Sequence, residues 1–153
     1  MLDTAHVVER VLPTVVEVRR AIHRHPELSK QEFATTDLIA THLIEGRLTP
    51  RLRTPKTGLS VDVGTEGPLV VFRADLDALP ITESAGLSFA SDQTGVMHAC
   101  GHDAHTAITL GLALAWAEIG DGRRVRFLFQ PSEEVFPGGA DELVAEGLVK
   151  GAT

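Results

Sequence analysis

Gly67-Pro68-Leu69-Val70-Val71-Phe72-Arg73-Ala74-Asp75-Leu76-Asp77 is the stretch whose reading decides the fold. Glycine and proline interrupt what precedes, and four apolar residues then follow without a polar break. Strict alternation would mark a strand with one wet face. A continuous apolar run suits a strand covered on both faces, the kind found in sheets flanked by helices. The run ends in two aspartates at i and i+2, a spacing that turns both carboxylates to one side of a strand end. Such charges repel unless a cation or a hydrogen-bond donor neutralises them. Arg73 shares their side, so a salt-bridged strand terminus explains the pair as readily as a functional site does.

Working outward, Leu59 to Val63 alternates like a half-buried strand, and Val125 to Phe129 sets Arg126 among apolar neighbours as another. Upstream, Val8, Leu12, Val15, Val18 and Ile22 recur every three or four residues, which predicts a helix over 4–25, kinked or restarted at Pro13. Ser29-Lys30-Gln31-Glu32 has the form of a capping box for a second helix carrying Phe33, Leu38, Ile39 and Leu43, with Gly46 placed to stop it. Residues 104–118 predict a Leu-rich helix, and Asp141 to Gly147 a short one. The order helix, helix, strand, strand, helix, strand, helix predicts an α/β layered sheet with helices on both faces. The Gly147-Leu148-Val149-Lys150-Gly151-Ala152-Thr153 end leads toward a further element, so the sheet is expected to be only partly built.

The chain has 153 residues, the size of one domain, with 43% hydrophobic and 23% charged residues, as in globular proteins generally. Its net charge of −7 and scattered arginines argue against a nucleic-acid partner. One cysteine excludes an internal disulfide, and no apolar stretch is long enough to span a membrane. The Met1–Pro13 segment carries Asp3 and Glu9 and lacks the apolar core of a secretory signal, so the expected location is the cytoplasm.

That single cysteine lies in Met97-His98-Ala99-Cys100-Gly101-His102-Asp103-Ala104-His105-Thr106. Cys100 and His102, two apart in a loop, offer thiolate and imidazole to one ion. This suits Zn²⁺, and also Mn²⁺, Co²⁺ or Ni²⁺ if carboxylates complete the shell. A lone cysteine is more often a small buried hydrophobe, and Cys100 with a histidine base would make a thiol hydrolase. His98 and His105 are expected in supporting roles. Asp103 is expected to cap the next helix, with orientation of a histidine as the alternative. Glu133-Glu134 follows a predicted buried strand and Pro131. An adjacent pair is commonly a solvated surface feature; after a buried strand the equally open reading is that one carboxylate can hold metal while the other handles protons. All three clusters fall at strand or helix ends, where sites of α/β sheets gather.

In the order of the chain, four blocks resemble the N-terminal part of the M20 metallopeptidase superfamily. They are Arg20 to Leu28, Phe72 to Pro80, Met97 to Thr106, and Phe129 to Glu134. The resemblance is to its amidohydrolase branch of aminoacylase-like, hippurate hydrolase, N-acetyldiaminopimelate deacetylase and auxin-conjugate hydrolase enzymes. It implies a zinc-exopeptidase-like catalytic domain, incomplete here, without the lid and dimerisation domain, so that residues 1–153 are its N-terminal part and no second domain is present. It implies one or two divalent ions held by Cys100, His102 and Glu134, with Glu133 as the general base that activates water. Asp77 matches an aspartate that orients a histidine, Asp75 stands where sister branches place a histidine ligand, and His25-Pro26-Glu27-Leu28 reads as structural. The implied substrate is a small N-acyl amino acid or a short peptide-like amide, with no nucleic acid and no membrane, and a homodimer only in a full-length form. The rival expectation is a truncated, inactive remnant that still binds metal. Family members carry glycine after the second glutamate, where this chain has Val135-Phe136-Pro137 before Gly138-Gly139.

Overall fold

A computed structural model describes residues 3–153. The periodic apolar residues of the N-terminal segment form one helix, α1 (Thr4–Arg24), which runs through Pro13 and buries Val7, Val18 and Ile22. Asp3 caps it, its Oδ1 accepting the Ala5 N–H at 3.0 Å. Helix α2 (Phe33–Glu45) follows, then strands β1 (Arg51–Leu52), β2 (Leu59–Val63) and β3 (Glu66–Asp75), helix α3 (His102–Ile119), strand β4 (Arg123–Gln130) and helix α4 (Gly139–Ala145). The two-residue β1 is too short to leave a periodic signal.

The sheet order is β1-β2-β4-β3. β2 runs antiparallel to both β1 and β4, and β3 runs parallel to β4. The parallel pair needs a crossover, and α3 supplies it. Leu59 and Val61 from β2 and Val125, Phe127 and Phe129 from β4 share one sheet face. They pack there with Val18 and Ile22 of α1, Ile39 and Leu43 of α2, and Ala107, Leu110 and Ala113 of α3. The alternate residues of β2 and β4 face the other side, where α4 and the turn after it lie and where Arg126 reaches the Leu148 carbonyl at 2.7 Å. The architecture is the layered α/β sheet expected from the element order.

Two local expectations are corrected. β3 is not covered on both faces: it stands at the sheet edge, and Val70 and Phe72 are 40% and 39% exposed. Phe72 is still stacked on Phe127, with ring centroids 5.7 Å apart. Nor do Ser29 and Glu32 form a capping box. Helix α2 takes its cap from Glu27, whose two carboxylate oxygens accept the N–H groups of Ala34 at 3.0 Å and Thr35 at 2.7 Å. A carboxylate there satisfies two free donors and faces the positive end of the helix.

On the α4 side, Arg126 grips Asp62 with two bonds, Nε to Oδ1 at 2.6 Å and Nη2 to Oδ2 at 2.8 Å. The Arg126 hydrogen bond, against the opposing effect of burial, holds the Asp62 carboxyl below its ordinary range. A depressed folded-state value means that the stabilisation is complete above the unfolded carboxylate value, about 3.9, and is lost as pH falls through the folded one. Asp62→Asn is therefore expected to lower stability at pH 7 by about 1–2 kcal/mol. The gap from wild type should close on acidification. Urea unfolding at pH 7 and at successively lower pH checks this, and a gap that stays constant into strong acid contradicts it.

Candidate metal centre

Because β3 and β4 are parallel, their C-terminal ends open on the same edge of the sheet. The end of β3 delivers Asp75 and Asp77, the turn after β4 delivers Glu133 and Glu134, and the turn into α3 delivers Cys100 and His102. Gly101 makes that last turn with φ of 86°, a left-handed backbone that residues with a Cβ rarely adopt. Thr106 ties α3 to the strand end, its hydroxyl donating to the Asp75 carbonyl at 2.8 Å. Leu76 N–H, bonded to the Gln130 carbonyl at 2.9 Å, extends the pairing of β3 and β4 past both strands.

A ligand atom from each of Cys100, His102 and Glu134 lies within 4.8 Å of the others. The imidazole is oriented for this. Its Nδ1–H donates to the Asp77 carbonyl at 2.8 Å, since a carbonyl can only accept, so the neutral ring carries its lone pair on Nε2. Nε2 faces Glu133 Oε2 and Glu134 Oε1, each at 3.9 Å. Asp77 sits behind the ring. Its Oδ2 accepts the Ser29 hydroxyl at 2.6 Å and the Glu134 N–H at 2.9 Å. Its Oδ1 has no hydrogen-bond partner and lies 3.5 Å from His102 Nδ1.

The cluster crowds acids and a thiol around one imidazole, and their electrostatics are coupled. Burial works against the charge of Asp77, yet His102, Ser29 and the Glu134 N–H hold its carboxyl far below the ordinary range. The Asp77 carboxylate and carbonyl push His102 up to about 9, with burial opposing. The exposed Cys100 thiol is raised by partial desolvation and then by Glu134, Glu133 and Asp75. Asp75 is raised first by burial, with Glu133 and Asp77 adding to the effect. A divalent ion reverses this logic, because it favours thiolate, neutral imidazole and carboxylate together. Sulfur, nitrogen and oxygen donors brought together, with an imidazole whose far nitrogen is tethered, fit such an ion.

The other sequence-selected residues fall outside this donor group. Asp75 Oδ1 is taken by Arg73 Nη1 at 2.7 Å, the partner its spacing suggested. The His105 ring lies 6.3 Å from that of His102. His98 is buried with neither ring nitrogen hydrogen-bonded, and burial pushes it down to about 4, so it sits there neutral. Asp103 is corrected: it neither caps α3 nor touches a histidine of the donor group. Its Oδ2 meets His23 Nδ1 at 2.9 Å and Arg19 Nε at 3.2 Å, joining α3 to α1. His23 Nε2 in turn meets Glu83 Oε1 at 3.1 Å. Sequence reading missed Ser29, because serine three residues before glutamate ahead of an apolar run reads as a helix cap. It missed His23, because its partners are 60 and 80 residues away.

The chain is similar to known proteins over most of its length. A deacetylase of N-acetyl-L-cysteine from Bacillus subtilis is 45% identical over 141 residues, 90% of this chain and 34% of that protein. An N-acyl-L-amino acid amidohydrolase from Geobacillus stearothermophilus is 44% identical over 153 residues, 97% of this chain and 41% of that protein. A Rhodococcus jostii protein provisionally named a glutamate–cysteine ligase is 48% identical over 140 residues; the match covers 91% of this chain but 18% of that protein. The crystal structure of a dinuclear metal-binding peptidase of the M20 family from Bacillus subtilis superposes with a TM-score of 0.88 at 39% identity, covering 95% of this chain and 42% of that one. The chain thus spans less than half the length of each of these relatives. Among the described residues no helix is long and apolar enough to cross a membrane. The family model for peptidases M20/M25/M40 matches residues 71–152, the stretch that holds the C-terminal half of β3, all of α3 and β4, and Cys100, His102 and Glu134, and the chain belongs to that family.

Proposed function

We infer that a polypeptide carrying this chain hydrolyses the amide bond of N-acyl amino acids, and that residues 1–153 form the N-terminal part of its catalytic domain. The observation that supports this most is the meeting of Cys100, His102 and Glu134 ligand atoms within 4.8 Å, beside a second glutamate that is not among them. The named activity of the Geobacillus relative supports the substrate class.

Cys100, His102 and Glu134 would hold one divalent ion, with Zn²⁺, Mn²⁺, Co²⁺ and Ni²⁺ all compatible with the donors. When bound, the ion polarises an amide carbonyl and makes water a stronger acid. Glu133 then acts as the base. Its side chain is 42% exposed, so it reaches water and substrate alike. It takes a proton from the water whose oxygen bonds to the amide carbon, and it returns that proton to the nitrogen as the C–N bond breaks. Asp77 acts through others: it fixes the His102 ring from behind and anchors the Glu134 backbone.

Assaying the chain, and any longer polypeptide that carries it, on an N-acetyl amino acid with Mn²⁺ or Zn²⁺ tests the reading. Hydrolysis abolished by EDTA and restored by metal is expected. Hydrolysis indifferent to EDTA but abolished by iodoacetamide would make Cys100 a nucleophile instead. Metal binding without turnover in every form would leave the inactive remnant.

A further inference from the structure

Glu32 is a buried carboxylate with no task in the function proposed above. It is 0% exposed, and among the described residues no lysine, arginine or histidine pairs with it. Burying a carboxylate without a cation is costly unless hydrogen bonds replace the lost water. Three do. Oε2 accepts the Thr57 hydroxyl at 2.6 Å, and Oε1 accepts the Ser132 N–H at 2.7 Å and the Ser132 hydroxyl at 3.3 Å.

Ser132 is the residue immediately before Glu133-Glu134, and its φ is 56°. That left-handed conformation is unfavourable for a residue with a Cβ and persists where surroundings enforce it. Ser132 is held at every polar atom. Its N–H and hydroxyl face Glu32, its hydroxyl oxygen accepts the Lys30 N–H at 2.9 Å, and its carbonyl accepts the Gly139 N–H at 2.9 Å. The backbone bend at Ser132 sets where the next two side chains leave the chain. Two residues on, the Glu134 N–H meets Asp77.

We propose that Glu32 is a positioning residue: by clasping Ser132 in its left-handed turn, it aims Glu133 and Glu134 at the site. The inference rests on the metal reading of Glu134, but the turn itself is measurable without metal. The clasp works through acceptance of the Ser132 N–H and not through net charge. Glu32→Gln keeps an oxygen for that N–H and an amide that can donate to Thr57. Glu32→Met keeps the volume and removes the strong acceptor.

The test uses the 153-residue chain and two readouts, hydrogen exchange at the Ser132 amide by NMR in the absence of metal, and Co²⁺ affinity by titration. In folded Glu32→Met, the Ser132 amide is expected to lose protection and Co²⁺ affinity to fall at least ~10-fold. Glu32→Gln should keep both within about threefold of wild type, the range expected where a single donor–acceptor match is retained. Adding Ser132→Gly to Glu32→Met should recover part of the affinity, because glycine adopts positive φ freely. A merely structural role would not give that recovery. If Glu32→Met does not fold, Thr57→Val removes one bond of the same clasp and should show a smaller loss in both readouts. An unchanged Ser132 amide and unchanged Co²⁺ affinity in Glu32→Met, or in Thr57→Val where that variant is used, overturn the proposal. Wild-type chain that binds no Co²⁺ overturns the metal reading, and the amide readout then decides the role of Glu32 alone.

Discussion

Glu133→Gln is expected to lower kcat on an N-acetyl amino acid at least ~100-fold in a polypeptide that is active with this chain, while metal stays bound. The split follows from position. Glu134, not Glu133, belongs to the group of ligand atoms within 4.8 Å, so the amide at position 133 leaves the donors in place. The same change removes the only lone pairs of Glu133 basic enough to take a proton from water near neutrality. Fold should be unaffected, since the Glu133 side chain is half-exposed and takes part in none of the buried hydrogen bonds. Metal content by elemental analysis, read beside kcat, checks this. Full turnover would remove Glu133 as the base, and loss of metal would make it a ligand.

Asp77→Ala is expected to weaken metal binding by about 10–100-fold, the usual effect of removing a group that orients a ligand. The His102 ring would keep its bond to the residue-77 carbonyl, because that acceptor is backbone. What is lost is the carboxylate behind the ring and the acceptor of both the Ser29 hydroxyl and the Glu134 N–H. Both donors would be left without their partner, which adds a stability cost of about 1–3 kcal/mol. Asp77→Asn should fall between, since its amide oxygen can still take one of those donors. Calorimetric metal titration of the three proteins orders them. Equal affinity in wild type and Asp77→Ala would show that the ring needs only the backbone carbonyl.

The parts of this molecule that sequence made legible are those that repeat or cluster locally. Helical spacing from Val8 to Ile22 located α1 through Pro13, although Val8 and Leu12 are each 51% exposed and the helix packs instead through Val7, Val18 and Ile22. The apolar run 69–72 located β3 but not its edge position. A run of four apolar residues looks the same whether another strand or solvent lies alongside, and Phe72 uses its aromatic face on Phe127 rather than full burial. Cys100, His102 and the glutamate pair were conspicuous as residue types. The residues that hold them were not. Ser29 and Glu32 imitate a capping box, and it takes the tertiary structure to show Ser29 on Asp77, 48 residues away, and Glu32 on Ser132, 100 residues away. Asp103 at a helix start looked like a cap, and the neighbouring α1 outcompeted the helix end for its carboxylate.

The central claim, that the Cys100–His102 turn and the distant Glu134 meet on one divalent cation, is tested most directly by the Co²⁺ absorption spectrum of the 153-residue chain. A saturable thiolate-to-cobalt charge-transfer band is expected in wild type. It should be absent in Cys100→Ser, and Co²⁺ affinity should fall in His102→Ala and in Glu134→Gln. A spectrum without that band, or one left unchanged by all three substitutions, would contradict the account.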